Sequence, residues 1–197
     1  MRTSFRFTVL TLSVLFLFSA CSDDEDATTP QPTGPPVVVI ETNYGTIEIE
    51  TYPEHAPKTV ENFATHARNG YYDSVRFHRV VKNFVIQGGD PTGTGEGGES
   101  IWGGEFEDEI DTTASIYQGE FNGYTRGTVG MANDGPNTNG SQFFIMHVDY
   151  KLPPLYTIFG KVTAGIATVD SIANVPVRGP NRSSPVDDVI MERVYVK

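Results

Sequence analysis

The stretch FHRVVKNFVIQGGD, from Phe77 to Asp90, contains the residue types that most directly suggest chemistry. It places Arg79, a permanent cation, in the middle of an apolar run with the character of a β-strand. Burying a charge costs several kcal/mol unless the charge is paired or hydrogen-bonded. Arg79 is therefore predicted either to form a salt bridge with a core carboxylate or to be required for function.

Other patterns that carry chemistry are incomplete in this sequence. The histidines His55, His66, His78 and His147 lack the His-Glu-x-x-His spacing and have no cysteine partners in the fold, so no metal site is predicted. The run GTGEGG at residues 93–98 matches the letters of a dinucleotide fingerprint, but no amphipathic helix follows it, which favours a surface loop. Neither Gly-x-Ser-x-Gly nor an activated cysteine is present. We therefore expect neither covalent catalysis nor a cofactor.

The composition limits the classes of partner. The 197 residues carry a formal net charge of −11, and no basic stripe interrupts the acidic character. Phosphate groups are repelled by such a surface, so nucleic acid is not an expected partner. The length after the N-terminal segments predicts one compact domain over residues 37–197.

The N-terminus has the pattern of an export signal. Basic residues precede an apolar run that is shorter than the roughly 20 residues of a membrane-spanning helix, so residues 1–20 are predicted to be a signal peptide. Cys21 directly follows LFSA, which resembles the lipobox of bacterial lipoproteins, and we expect its thiol to be lipidated. The alternative is an ordinary cleavage site with a leftover thiol. Residues 21–36 are acidic and then Thr/Pro-rich, which predicts a disordered tether, and the acidic part is either a surface-export signal or a solvated linker.

The folded part reads as many short strands with two helices. Two β-branched runs flank Asn43-Tyr44-Gly45 and predict a hairpin. Apolar residues at helical spacing predict one helix in APKTVENFATHARNG and a second in AGIATVDSIA. Short apolar runs separated by glycine-rich turns fill the remainder, which favours a barrel or a sandwich.

Two stretches, FHRVVKNFVIQGGD and RGTVGMANDGPNTNGSQFFIMH, carry the most specific signal. Here the sequence resembles the cyclophilins, the cyclosporin-binding family of peptidyl-prolyl cis/trans isomerases. The resemblance extends over nearly all of residues 37–197. It implies a mainly β fold, a closed eight-stranded antiparallel barrel capped by two α-helices, and rotation of Xaa-Pro peptide bonds as the activity.

The resemblance also implies which residues perform the isomerisation. Peptide-bond rotation meets a barrier of about 18 to 20 kcal/mol because the twisted amide loses its resonance. A fixed donor that reaches the pyramidal prolyl nitrogen binds the twisted state better than either planar isomer. By resemblance Arg79 is this donor, and Gln87 orients it and binds the substrate backbone. The remaining predicted substrate-binding residues are Phe84, Val85, Ala132, Asn133, Asp134, Gln142, Phe144, Leu152 and Tyr156.

Several of these positions depart from the family pattern. Val85 replaces a common methionine, and Tyr156 replaces a pocket histidine. Lys151 occupies the position of the tryptophan that contacts cyclosporin, and Trp102 lies elsewhere, so weak cyclosporin binding is expected. Asp134 replaces a small residue, and we hypothesise that its carboxylate favours peptides with a basic residue near proline.

Three functions remain open at this point. The first is an exported, monomeric isomerase that is lipid-anchored to a bacterial membrane, on the periplasmic side or at the cell surface, and acts on proline-containing polypeptides during folding. The second is a proline-peptide binding module or chaperone with incidental turnover. The third is a lipid-anchored structural protein. The segment at residues 110–126 is longer than the usual connection, and the sequence assigns it no role.

Overall fold

The computed structural model describes residues 34–179 and 183–197. The predicted signal peptide at 1–20, Cys21 and most of the predicted tether at 21–36 lie outside the described residues. Within the described ranges, no helix combines the length and apolar character that crossing a bilayer requires.

The described residues form eleven strands, two α-helices and one 3₁₀ turn at Ser115–Tyr117. The strands are β1 (Val37–Thr42), β2 (Gly45–Thr51), β3 (Val75–Arg76), β4 (Arg79–Val81), β5 (Val85–Gly88), β6 (Thr128–Met131), β7 (Phe143–Met146), β8 (Ile158–Ala164), β9 (Val177–Arg178), β10 (Ser184–Pro185) and β11 (Ile190–Val196). The helices are α1 (Pro57–Arg68) and α2 (Ile166–Ala173). The mainly β fold with two helices is the one predicted from the sequence.

Nine strands pair in one antiparallel sheet, in the order β3-β11-β1-β2-β8-β6-β7-β5-β4, while β9 and β10 form a separate pair. The two edge strands of the large sheet, β3 and β4, follow each other in the chain with only Phe77 and His78 between them. The sheet must therefore curl until its two edges approach each other. The strands that carry the candidate site, β6, β7, β5 and β4, are consecutive neighbours at one end of this sheet.

The expectation of a closed eight-stranded barrel needs correction. The sheet has nine strands, and among the described residues no ladder joins β3 to β4. At this seam Phe77 N donates a hydrogen bond to Val189 O (2.9 Å), and Val80 N donates one to Ser183 O (2.6 Å). Main-chain donors must be satisfied when they are buried. Because the returning segment at 183–189 satisfies these donors, the two edges meet without pairing.

The main core lies inside the curled sheet. In the β1–β2 hairpin, Ile40 lies opposite Ile47, and both are fully buried. Helix α1 contributes Phe63, whose ring packs edge-on against Phe143 (5.1 Å between centroids) and Phe159 (5.0 Å). Helix α2 buries one apolar face in the same core. Each helix thus covers apolar sheet surface with the face that its sequence periodicity predicts.

A second, smaller apolar cluster forms where strand side chains point away from the main core. Successive residues of a strand face opposite sides, so Phe143 enters the main core while Phe144 enters this cluster. The buried members of the second cluster are Val85, Tyr117, Tyr124, Phe144, Met146 and Ile158. Tyr117 and Tyr124 come from the long connection between β5 and β6. The second cluster is the floor of the candidate site.

Candidate active site

Arg79 and Gln87 lie side by side on neighbouring strands. The register of β4 and β5 pairs Arg79 with Gln87, and Arg79 Nη1 donates a hydrogen bond to Gln87 Oε1 (3.0 Å). Burial lowers the pKa of the Arg79 guanidinium, although a guanidinium remains charged at any working pH. In the described part of the chain, no carboxylate lies within salt-bridge distance of Arg79. Among the described residues, Arg79 therefore does not form the salt bridge that was the alternative to a functional role.

A line of hydrogen bonds extends from Arg79 to a glycine-rich loop. Gln87 Nε2 donates to Gln142 Oε1 (3.0 Å). Gln142 Nε2 in turn donates to the carbonyl oxygens of Gly95 and Gly97, each at 2.9 Å. Each amide uses its oxygen toward Arg79 and its nitrogen away from it, so the orientation of every amide in the line is determined. Because Gln87 is held in this way, its bond to Arg79 fixes the orientation of the guanidinium.

The side chain of Asp90 holds that glycine-rich loop in place through hydrogen bonds. Its carboxylate is fully buried and accepts hydrogen bonds from the N–H groups of Thr92 (2.8 Å), Thr94 (3.0 Å) and Gly95 (2.7 Å). Burial by itself would raise the pKa of Asp90, but the Thr92 hydroxyl and the main-chain donors outweigh it and lower the pKa to about 2. The glycine-rich run is thus a loop folded around a carboxylate. Sequence reasoning missed this role, and the available signal was an aspartate three residues before the first glycine of the run.

An apolar pocket of about 240 Å³ opens beside Arg79. The Phe144 side chain is only 5% exposed, and its ring meets the Tyr156 ring edge-on at 5.6 Å. The Arg79 guanidinium carbon lies 5.8 Å from the centre of the Phe84 ring, within cation–π range. The residues that line the pocket are Arg79, Phe84, Val85, Gln87, Ala132, Asn133, Phe144, Leu152 and Tyr156. All of them are among the residues that the sequence analysis named.

The two other predicted site residues lie next to this pocket. Asp134 and Gln142 line a larger cavity of about 580 Å³, which shares Ala132 and Asn133 with the apolar pocket. Asp134 also lines a third cavity of about 440 Å³, which shares Asn133 with both neighbours. Asn133 therefore lines all three neighbouring cavities, which together are called the cleft.

Asn133 is placed to pair with an extended peptide. Its side-chain Nδ2 donates to Leu155 O (2.9 Å), which ties Asn133 to a residue that lines the third cavity. No described residue forms a hydrogen bond with the main-chain N–H or C=O of Asn133. A peptide lying along the cleft can therefore form β-type hydrogen bonds there.

The residues that depart from the expected pattern lie in different surroundings. Val85 and Tyr156 line the apolar pocket, whereas Lys151 is exposed and lines none of the three cavities. Trp102 is 49% exposed and packs on Phe106 at 5.6 Å, so it stands apart from the pocket. An apolar ring-sized pocket with a fixed guanidinium at its edge and free main-chain groups beside it is suited to a prolyl peptide.

The comparisons with known proteins agree with this fold. The family profile described as "Cyclophilin type peptidyl-prolyl cis-trans isomerase/CLD" matches residues 37–196. The crystal structure of a cyclophilin type peptidyl-prolyl cis-trans isomerase from Cryptosporidium parvum is similar, with a TM-score of 0.74, 40% identity, and coverage of 82% of this chain and 97% of that chain. A second Cryptosporidium parvum structure, determined in the presence of the dipeptide Ala-Pro, has a TM-score of 0.73. The fold is thus that of a cyclophilin-type prolyl isomerase.

Sequence relatives identify the family further. The chain is 44% identical over 189 residues to a Staphylococcus aureus protein provisionally named a peptidyl-prolyl cis-trans isomerase, covering 81% of this chain and 91% of that protein. It is 48% identical over 181 residues to the human peptidylprolyl isomerase domain and WD repeat-containing protein 1, covering 89% of this chain but spanning only 27% of that relative's length. The chain belongs to the cyclophilin-type peptidyl-prolyl cis-trans isomerases.

Proposed function

We propose that this isomerase turns Xaa-Pro bonds of exported proteins through Arg79, with Gln87 holding the guanidinium in position. The observation that carries the proposal is a half-buried guanidinium with an amide partner and no described carboxylate partner, at the edge of a ring-sized apolar pocket. The charge is therefore available to a ligand. The proline ring enters the pocket against Phe144, and the peptide backbone pairs with Asn133.

The mechanism needs no bond to break. As the C–N bond twists, its nitrogen gains a lone pair, and a donor from Arg79 stabilises that state more than either planar isomer. Charge-assisted hydrogen bonds contribute about 1.5 to 3 kcal/mol each. Lowering the barrier by about 5 kcal/mol accelerates the rotation a few thousandfold. Two or three such contacts are sufficient, so the absence of a nucleophile motif is no obstacle.

The decisive experiment compares wild type with Arg79→Ala in a protease-coupled isomerisation assay on a short Xaa-Pro peptide. We expect Arg79→Ala to lose most of the activity, and Arg79→Lys to recover only a part because an ammonium lacks the planar fork. Arg193→Ala is a matched control, since Arg193 also lies over a ring, that of Tyr195, at 4.7 Å. Arg79→Ala and wild-type rates that are equal and no faster than buffer would instead favour the binding module or chaperone.

The substrate preference proposed for the cleft follows from its charge. Asp134 is exposed and borders both cavities that flank the apolar pocket. Carboxylates also line the cavities at Glu96, Glu105 and Asp108, while neither cavity is lined by a lysine or arginine. Opposite charges across a cleft favour binding and its specificity. We therefore propose that peptides with a basic residue near proline are preferred.

The proposed location is the cell envelope, with the isomerase domain held on a membrane through lipidated Cys21 on the periplasmic side or at the cell surface. The signal-like residues 1–20 and the lipobox-like sequence before Cys21 support this proposal. Labelling with a radioactive fatty acid tests it: wild type is expected to incorporate label and Cys21→Ser is expected not to. Equal labelling of both, or none of either, would contradict the anchor. A monomer is proposed for the domain, and sedimentation would check it.

A further inference from the structure

The long connection between β5 and β6 contains an ordered segment, Ile110–Tyr124, to which the sequence assigned no role. It folds on itself: Gln118 Nε2 donates to Thr112 O (2.6 Å), and the 3₁₀ turn lies in its middle. Gly123 has a left-handed φ of +83°, and a Cβ atom there would collide with Ile116 O. The segment is therefore tightly folded, and its apolar side enters the second cluster behind the pocket.

Two buried tyrosines of this segment hold the main chain of Tyr156. The Tyr124 hydroxyl donates to Tyr156 O (2.8 Å) and accepts from Tyr156 N (3.2 Å). The Tyr117 hydroxyl donates to the same carbonyl (3.2 Å) and accepts from Ile158 N (2.9 Å). A carbonyl oxygen has two lone pairs and a hydroxyl both donates and accepts, so all four bonds are compatible. Both polar main-chain groups of Tyr156 are thus engaged by phenols.

A third side chain holds the other end of the same wall. Asn122 Nδ2 donates to Leu152 O (2.7 Å). Residues 151–157 have no regular secondary structure, and prolines at 153 and 154 provide no N–H group. Apart from short local turns and one main-chain bond, from Met131 N to Thr157 O (2.9 Å), the bonds that hold this stretch come from side chains, Asn133 among them. Leu152 and Tyr156 are the two walls of the apolar pocket that come from it.

We propose that Tyr117, Asn122 and Tyr124 are positioning residues of the isomerase, which hold Leu152 and Tyr156 toward Phe144 and so set the width of the proline pocket. The proposal rests on the proposed function, because it takes the pocket to be the proline site. None of the three lines the pocket itself. Their effect therefore passes through the wall rather than through contact with the substrate.

The hydrogen bonds from Tyr117, Asn122 and Tyr124 to the pocket wall are called the brace, and the chemistry of its two phenols makes it permanent. Burial raises the pKa of Tyr117 to about 12 and raises that of Tyr124 further above its usual value. Both hydroxyls keep their protons over the whole working pH range, so their donated bonds to Tyr156 O persist. The brace does not require the Tyr156 ring, since it grips only the main chain of that residue.

The test separates binding from turnover in Tyr117→Phe, Tyr124→Phe and the double variant of the full chain. We measure KM and kcat for an Xaa-Pro peptide, and follow the Ala-Pro dipeptide by NMR titration. Each single variant is expected to raise KM for the Xaa-Pro peptide and to weaken binding of the Ala-Pro dipeptide, each by about threefold to tenfold, as loss of one to two hydrogen bonds predicts. The kcat value at saturation is expected to change by less than about twofold, because the Arg79–Gln87 pair is untouched. Amide exchange at Tyr156 is expected to accelerate in Tyr124→Phe, and at Ile158 in Tyr117→Phe.

Controls separate positioning from general stability. Thr51→Val removes a buried hydroxyl that donates to Pro36 O (2.7 Å) and lines none of the three cavities, and it is expected to lower stability with unchanged KM. Asn122→Gly tolerates the left-handed backbone (φ +50°) while removing the bond to Leu152, so it tests the brace even if a tyrosine variant fails to fold.

Each outcome decides the proposal. Tyrosine and Asn122→Gly variants that lose stability as Thr51→Val does, with KM and dipeptide affinity unchanged, would overturn it. A raised KM with accelerated exchange at Tyr156 supports it. If Arg79→Ala keeps full activity while the tyrosine variants still weaken the dipeptide, the proposed function fails and the brace stands.

Discussion

Gly130 of β6 lies directly opposite Phe144 of β7, and a Cβ atom at Gly130 would come within 2.6 Å of Phe144 Cζ. The missing side chain leaves the space in which the Phe144 ring lies. The floor of the proline pocket is thus shaped by a residue on the neighbouring strand that does not itself line the pocket.

Gly130→Ala is therefore expected to push the Phe144 ring into the pocket. Contacts near 2.6 Å force movement, and the ring edge is the part that can move. We expect KM for prolyl peptides to rise by about fivefold to thirtyfold, which corresponds to a strain of about 1 to 2 kcal/mol. Steady-state kinetics measures this. Gly34→Ala, where no atom lies within 4 Å of the new Cβ, is the control, and an unchanged KM in both would contradict the account.

Asp134→Ala is expected to reduce the preference for a basic residue near proline. The interaction of two unit charges at about 4 Å in water is about 1 kcal/mol, which is roughly a fivefold gain for a Lys peptide and a similar loss for a Glu peptide, so the Lys/Glu ratio of kcat/KM is expected to fall by up to about thirtyfold. Peptide pairs that differ only at that position measure it, at low and high salt, and salt is expected to shrink the preference. Asp187→Ala, which changes a surface carboxylate outside the cleft, is the control. An unchanged ratio in Asp134→Ala would refute the assignment.

Asp90 is expected to make stability depend on pH in acid. Its folded-state pKa is about 2, below the usual 3.8, so the ionised form stabilises the folded protein at pH above 3.8. This contribution is lost as pH falls through about 2, and its size is about 2 kcal/mol. Asp90→Asn should lose that amount at neutral pH and show a flatter profile between about pH 4 and pH 2. Urea unfolding over this range checks it, and coincident slopes for both proteins would argue against the loop's dependence on Asp90.

Cyclosporin is expected to bind weakly to the wild-type protein. Lys151 is exposed where the resemblance implies a tryptophan, and Trp102 lines none of the three cavities and does not replace it. Lys151→Trp should bind cyclosporin more tightly by about tenfold or more, the size of a typical tryptophan hot spot. Inhibition of isomerisation measures both affinities, with catalysis on short peptides retained. Nanomolar inhibition of the unmodified protein would contradict this expectation.

Much of the site could be predicted because its residues come from short, contiguous motifs. Arg79 and Gln87 flank one tight turn, and strand alternation separates Phe144 from Phe143, but it was the resemblance of these motifs to the cyclophilins that grouped them into one site. The sequence likewise predicted both helices from their apolar periodicity. It did not predict the number of strands, because β3 and β4 belong to one apolar run, VRFHRVV, that the structure divides at Phe77.

The sequence by itself predicted the short strands from their local apolar patterns, and it predicted the pocket residues from short motifs within those strands and the loops beside them. Only the tertiary structure decided what holds them: the loop around Asp90, the open seam beside Phe77, and the brace from Tyr117 to Ile158, which joins residues 41 positions apart. Such bonds leave no periodicity in the sequence, because a phenol can serve any main-chain group that folding brings within reach. The pocket walls are thus encoded locally, while their separation depends on contacts made across the whole domain.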